Sequence, residues 1–282
     1  MTVMKKISKI IVVILIVFTV LKVNESRILY ATDYYIATVS NPKAHTFQQT
    51  LSYIIIGVFG GIILLVSFMI FRKIRDKKLL KTVTKSNRGT WSERDLVLKL
   101  LKYGIPAQTI FHDLYLKKYN GDFSQIDLVV ITEVGIIVFE VKDYSGWIFG
   151  SGNQSQWTKI LAYGKQKYRF YNPIMQNNRH IEEIGKQLKQ FNLPFYSVVV
   201  FYGNCILKDV SFIPNGTFLV KSRKVLEVMR VVKKNNEPVQ YSNENEVVRI
   251  LKEAVKNGEN KEIQIQHIKN VNDMLGKDSI FD

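Results

Sequence analysis

Three polar residues interrupt two apolar runs in the middle of this 282-residue chain. Asp127 breaks I-D-L-V-V-I at 126–131, and Glu140 and Lys142 break I-I-V-F-E-V-K at 136–142. Both runs read as strands, so Glu140 and Lys142 project to one face while Phe139 and Val141 project to the other. A four-residue loop over 132–135, with Gly135 in a left-handed conformation, pairs Ile131 with Ile136 and hence Asp127 with Glu140. An odd-length loop would turn Asp127 to the opposite face. Carboxylates placed side by side repel, and a shared proton or a divalent cation resolves the conflict. All-oxygen ligation selects Mg²⁺ or Mn²⁺ over zinc. A lone cysteine, Cys205, and four scattered histidines supply no zinc motif in any case. Such a cation would bind a phosphate, with Lys142 positioning water or neutralising developing charge, and the residues suit phosphodiester hydrolysis. E-x-K alone carries little weight, because Glu259-Asn-Lys261 has the same pattern. For Glu140 and Lys142 by themselves the plainer reading is a strand-face ion pair.

The elements that must position these residues follow from pattern. A helix starts at Trp91, with Thr90 or Ser92 as its cap, Glu93 in its first turn and Leu96, Leu100 and Leu101 as an apolar stripe. Strands are expected at 109–116, 126–131 and 136–142, and hairpin material at 146–150 and 157–171. Asn172-Pro173 opens a helix running to about Phe191, with Ile181, Ile184 and Leu188 inward. A β-branched, aromatic strand at 195–202 and a short strand at 217–220 precede helices at 222–233, 243–257 and 263–275. With 46% hydrophobic residues the chain is no disordered polymer. The class is α/β with a mixed sheet and a helical C-terminal tail.

The first quarter is different in kind. Residues 51–71, L-S-Y-I-I-I-G-V-F-G-G-I-I-L-L-V-S-F-M-I-F, contain no charge and read as a transmembrane helix. Residues 1–23 hold a shorter apolar run behind Lys5, Lys6 and Lys9. They read as a first transmembrane helix, with a signal peptide as the alternative. Eight basic residues against one acid at 72–88 set a cell-membrane, multi-pass, N-in/C-in topology, with 24–50 as an extracytoplasmic loop and the bulk of the chain cytoplasmic. This cluster contributes +7 and residues 1–71 contribute +4 of the net charge of +16, leaving +5 for residues 90–282, so charge alone is weak support for nucleic-acid binding. Gly57 and Gly61 offer a G-x-x-x-G homodimer face, although glycine is common in such helices.

The wider constellation resembles the PD-(D/E)xK nuclease core, and more narrowly the nuclease-related domain (NERD) family. The resemblance rests on G-x-x-x-E-R at 89–94, I-D-L-V-V around Asp127, and G-I-I-V-F-E-V-K-D-Y at 135–144. It continues in G-W-I-F-G at 146–150, Trp157, and N-P-I-M-Q-N-N-R-H at 172–180. It implies a restriction-endonuclease-like αβββαβ core, here spanning 89–221 between the basic linker 72–88 and the helical region 222–282. It also implies a divalent-metal-dependent nuclease, using Mg²⁺ or Mn²⁺ on nucleic acid, DNA in preference to RNA. By the same resemblance Asp127 and Glu140 match the metal-binding carboxylates, Lys142 the catalytic lysine, Glu93 a helix acid that holds metal through water, and Gln176 the glutamine of the later helix. Ile126 stands where the superfamily often has proline.

Other residues read more plainly. His180 lies one helical turn after Gln176, but a lone histidine on a helix is usually packing or surface. Trp147 and Trp157 could stack on bases, though packing is the simpler account, and Cys205 reads as a small buried residue. Arg179, Lys186 and Lys189 could touch phosphates, as any exposed basic residues could. The alternative to an enzyme is a membrane-tethered module that keeps the fold and binds nucleic acid or a partner without cutting.

Overall fold

The structure is a computed structural model that describes residues 42–161 and 164–277, side chains of 42–49 and 272–277 excepted, with Lys22, Ser26 and Leu29 as isolated helical positions. The chain divides into two units, Met1–Phe71 and Arg72–Asp282.

Helix α1, Pro42–Leu80, begins inside the segment expected to be an extracytoplasmic loop and continues well past Phe71. Nothing stops it there, because the lysines and arginines after Phe71 are good helix formers and Lys77 and Lys78 complement the negative end of its dipole. Its stretch Thr50–Leu80 is, among the described residues, the one helix long and apolar enough to cross a membrane. The expected first span at 1–23 lies outside the described residues, Lys22 excepted. Among the described residues one apolar helix stands where two transmembrane helices were expected, and the multi-pass topology has no structural support there.

The second unit opens with helix α2, Trp91–Tyr103. Thr90 caps it through a reciprocal capping box with Glu93, and Gly104, with φ 102°, ends it. Strands β1 (Ile110–Lys117), β2 (Phe123–Thr132) and β3 (Gly135–Asp143) form an antiparallel meander. After β3 the chain builds a second sheet from β4 (Gly146–Ser151), β5 (Gln156–Leu161) and β6 (Gln166–Tyr171). Helix α3, Pro173–Gln187, then returns the chain to the first sheet. Strand β7 (Phe195–Tyr202) lies parallel to β3, β8 (Cys205–Ser211) joins the second sheet beside β4, and β9 (Thr217–Lys221) lies parallel to β7. The sheets run β1-β2-β3-β7-β9 and β6-β5-β4-β8. The expected αβββαβ order is thus interrupted by three strands of a second mixed sheet, which β8 completes.

Helices cover both faces of the first sheet. On one, Leu96, Val97 and Leu100 of α2 and Val225, Val228 and Met229 of α4 (Val225–Asn235) pack on Leu128, Ile137 and Phe139. On the other, Ile184 and Leu188 join Val247, Leu251 and Ala254 of α5 (Glu244–Asn257) over Val129, Ile136 and Val138. Helices α4 and α5 are therefore part of the core and not a tail. Helix α6, Lys261–Lys277, closes the described chain.

Candidate functional site

The β2–β3 hairpin has the expected register: Ile131 faces Ile136, and the ladder continues to Leu128 opposite Phe139. The turn itself is shorter than the expected loop, since Thr132 and Gly135 already pair and only Glu133 and Val134 remain between them. Gly135 has φ 130°, and a β-carbon there would strike the carbonyl of Pro194. One step beyond the last rung the strands part. The Asp127 carboxylate fills the gap, accepting a hydrogen bond from the Val141 amide at 2.7 Å. Asp127 and Glu140 thus share the face covered by α3.

On that face the Lys142 ammonium lies 2.6 Å from Glu140 Oε1 and donates to Gln176 Oε1 at 2.9 Å. The other oxygen, Glu140 Oε2, is buried without a hydrogen-bond partner; His180 Nε2 stands 3.4 Å away. Ser124 Oγ holds the far ring nitrogen of His180 at 3.2 Å. Burial alone would raise the Glu140 pKa, but His180 and the Lys142 ammonium outweigh it and the net shift is downward. For Lys142 burial acts downward, and Glu140 and Asp127 carry the net shift upward. Asp127 goes the other way: burial, then the charges of Glu140 and Glu93, push its carboxyl well above the ordinary range.

Helix α3 is aimed by two asparagines. Asn172 accepts from the amides of Ile174 and Met175 while its amide group donates to the carbonyls of Ser151, Gly152 and Gln154. Asn177, fully buried, donates to the Val138 carbonyl and to Ser197 Oγ. Together they pin the turn that carries Gln176 and His180. The N-P-I-M-Q-N-N motif is in this respect a docking device.

Glu93 is held elsewhere. It closes its own helix's capping box and faces His112, whose Nε2 lies 3.4 Å from Glu93 Oε2 and whose Nδ1 is 2.8 Å from Thr84 Oγ1. Gly89 makes this approach possible, since a β-carbon there would collide with both the Glu93 carboxylate and the His112 ring. His112 pairs with Leu128 across β1 and β2, on the sheet face opposite Asp127. Glu93 therefore reaches the acid pair through its charge on Asp127, not through a hydrogen bond. Asp113, in register with Asp127, leaves the ladder with φ 56°, and its carboxylate pairs with Arg88 at 2.9 Å. This keeps a third carboxylate from crowding Asp127.

Sequence reasoning undervalued His180 and did not see Ser124, His112 or Thr84. The signal for His180 was its spacing from Gln176; the other three come from register and helix crossing, which no local pattern encodes. Trp157 is core, with its indole N–H donating to the Ser151 carbonyl and its ring lying where a Gly150 β-carbon would be. Cys205 is buried and free.

Residues 88–202 match the family model of the nuclease-related domain. By this match the segment resembles a nuclease-related domain. The match runs from the buried Arg88 to the end of β7, so it contains every candidate site residue and leaves out β8, β9 and the C-terminal helices. An uncharacterized protein of Bacillus anthracis is 35% identical over 136 residues, covering 47% of this chain and 63% of that protein. The similarity thus spans less than two thirds of that relative's length. No solved structure matches the chain at a significant level.

The donor set fits a hard divalent cation. Asp127 and Glu140 offer carboxylate oxygens on one face, and Glu140 Oε2 is buried with no hydrogen-bond partner. Among the described residues no three His, Cys, Asp or Glu side chains form a metal-ligating group, so such an ion would draw its remaining ligands from water or substrate.

Proposed function

We propose that the NERD segment is a Mg²⁺- or Mn²⁺-dependent nuclease that hydrolyses phosphodiester bonds, DNA in preference to RNA, on a chain anchored in the cell membrane by the apolar helix. The observation that carries this reading is the Lys142 ammonium, clamped between Glu140 at 2.6 Å and Gln176 at 2.9 Å beside Asp127. Asp127 and Glu140 would hold the cation, which supplies Lewis acidity toward the phosphate and toward a water when bound. Glu140 is ionised in advance, its pKa lowered by His180 and Lys142 against the effect of burial. Asp127, raised by burial and by the charges of Glu140 and Glu93, would serve the cation as a carboxylate. Lys142 keeps its charge and presents a compact donor to the negative charge that develops on the phosphate, and Gln176 fixes its direction. Glu93 adds negative charge behind Asp127 without touching it. Cleavage of linear, circular and single-stranded substrates by the full chain in Mn²⁺ or Mg²⁺, set beside Glu140→Ala, tests the reading. Metal-dependent cleavage lost in the variant supports it. Absence of cleavage by the unmodified chain on every substrate favours the non-cutting module.

A further inference from the structure

From Tyr144 to Ile181 the chain contains no Asp or Glu, where its average composition would place about three, yet it holds Lys159, Lys165, Lys167, Arg169 and Arg179. None of the five forms an ion pair among the described residues; the ion pairs bracketing the segment are Lys142–Glu140 and Lys186–Glu183. Two of them lie against aromatic rings instead. Lys159 Nζ lies 4.8 Å from the Tyr144 ring and 5.4 Å from that of Tyr168, and the Arg179 guanidinium lies 5.1 Å from Tyr171. Lys165, Lys167 and Arg169 are exposed. The segment is joined to the candidate site at both ends: Tyr144 follows β3 and Lys142, and β6 runs through Asn172 into the helix that carries Gln176 and Arg179.

We infer that the β5–β6 hairpin is the arm that grips the phosphodiester backbone of a nucleic acid and leads it to the Lys142 site; the inference rests on the nuclease reading for its destination. Cations without an ion-pair partner are free to replace the counter-ions of a polyanion, and aromatic rings such as those beside Lys159 and Arg179 suit nucleotides. An acid-free stretch also removes the like charge that would repel a phosphate chain. A lipid surface is the competing occupant, but the rings of Tyr144, Tyr168 and Tyr171 lie against cations.

The test measures binding of a labelled oligonucleotide, single-stranded and duplex, to the full chain in detergent with EDTA present, so that no cleavage is needed. Lys165→Gln/Lys167→Gln/Arg169→Gln should weaken binding roughly tenfold and flatten the log–log salt dependence by about two. A control triple, Lys252→Gln/Lys256→Gln/Lys269→Gln, removes as much exposed charge from α5 and α6 and should do neither. Equal losses in the two triples, or none in the hairpin triple, overturn the inference. So does a hairpin triple that loses binding to anionic-lipid vesicles while keeping the oligonucleotide. Because binding is read without metal, a chain that grips nucleic acid by this hairpin but never cuts it would defeat the nuclease reading and leave the arm standing.

Discussion

Asp127 and Glu140, neighbours across one hairpin, make opposite contributions to stability. Asp127 is elevated by burial and by the charges of Glu140 and Glu93, from an ordinary value of 3.8. Its penalty is absent below that value and grows as pH rises through the folded-state pKa. Glu140 ends below its ordinary 4.5, because His180 and Lys142 outweigh burial. Its contribution is present above that value and is lost as pH falls through the folded-state pKa. Asp127→Asn should therefore raise the thermal midpoint at mildly alkaline pH in EDTA, with the gain shrinking on acidification, because the Asn carbonyl can still accept from the Val141 amide. Glu140→Ala should cost about 3–5 kcal/mol by taking from the half-buried Lys142 the carboxylate it pairs with at 2.6 Å. Thermal melts across pH give both signs, and a destabilised Asp127→Asn would contradict the electrostatic account. At Lys142 the prediction concerns shape: Lys142→Arg keeps the charge, but a planar fork does not fit between Glu140 and Gln176. Arg should fail in cleavage as Ala does while Mn²⁺ still binds, and an active Lys142→Arg would demote the lysine to a counter-ion.

At the scale of elements, the site depends on how α3 and α5 dock. Asn177→Ala removes donors to a strand carbonyl and to Ser197 in a fully buried position, and should cost about 1–3 kcal/mol. Leu251→Ala, in a helix that might be mistaken for a dispensable tail, should cost about 2–5 kcal/mol, since Leu251 is fully buried against the sheet. A melt showing Leu251→Ala at wild-type stability would contradict the packing described. The hairpin register was legible because one face of β2–β3 is apolar and a one-residue slip would bury Asp127's neighbours wrongly. The start of α2 was legible because Thr90 and Glu93 form a local box. Strand β8 was not, since C-I-L-K-D-V-S reads as neither strand nor helix and is ordered by pairing with β4, some sixty residues earlier. The second sheet was hidden for the same reason: its strands are short and its order is set by a long-range parallel pair.

At the scale of the whole molecule, the described residues hold one apolar helix and a unit whose residues 88–202 match the nuclease-related domain model. A reporter fused at Asp282 should behave as cytoplasmic because the basic run at 72–88 follows the apolar helix directly. An external reporter would overturn the membrane argument without touching the site. The site itself was legible as types and spacing: Asp127, Glu140, Lys142 and Gln176 do meet, while Glu93, placed with them by resemblance, is turned to His112 on the other sheet face. Which ring nitrogens and hydroxyls would close around them was not legible, because His180 and Ser124 meet only when α3 crosses β2. The central claim is that Asp127, Glu140 and Lys142 form a metal-dependent phosphodiester-hydrolysing centre. Its most direct test is single-turnover cleavage of labelled nucleic acid by the full chain in saturating Mn²⁺, run beside Lys142→Ala. The account predicts product from the unmodified chain, none in EDTA and none from Lys142→Ala; equal cleavage by the two proteins would contradict it.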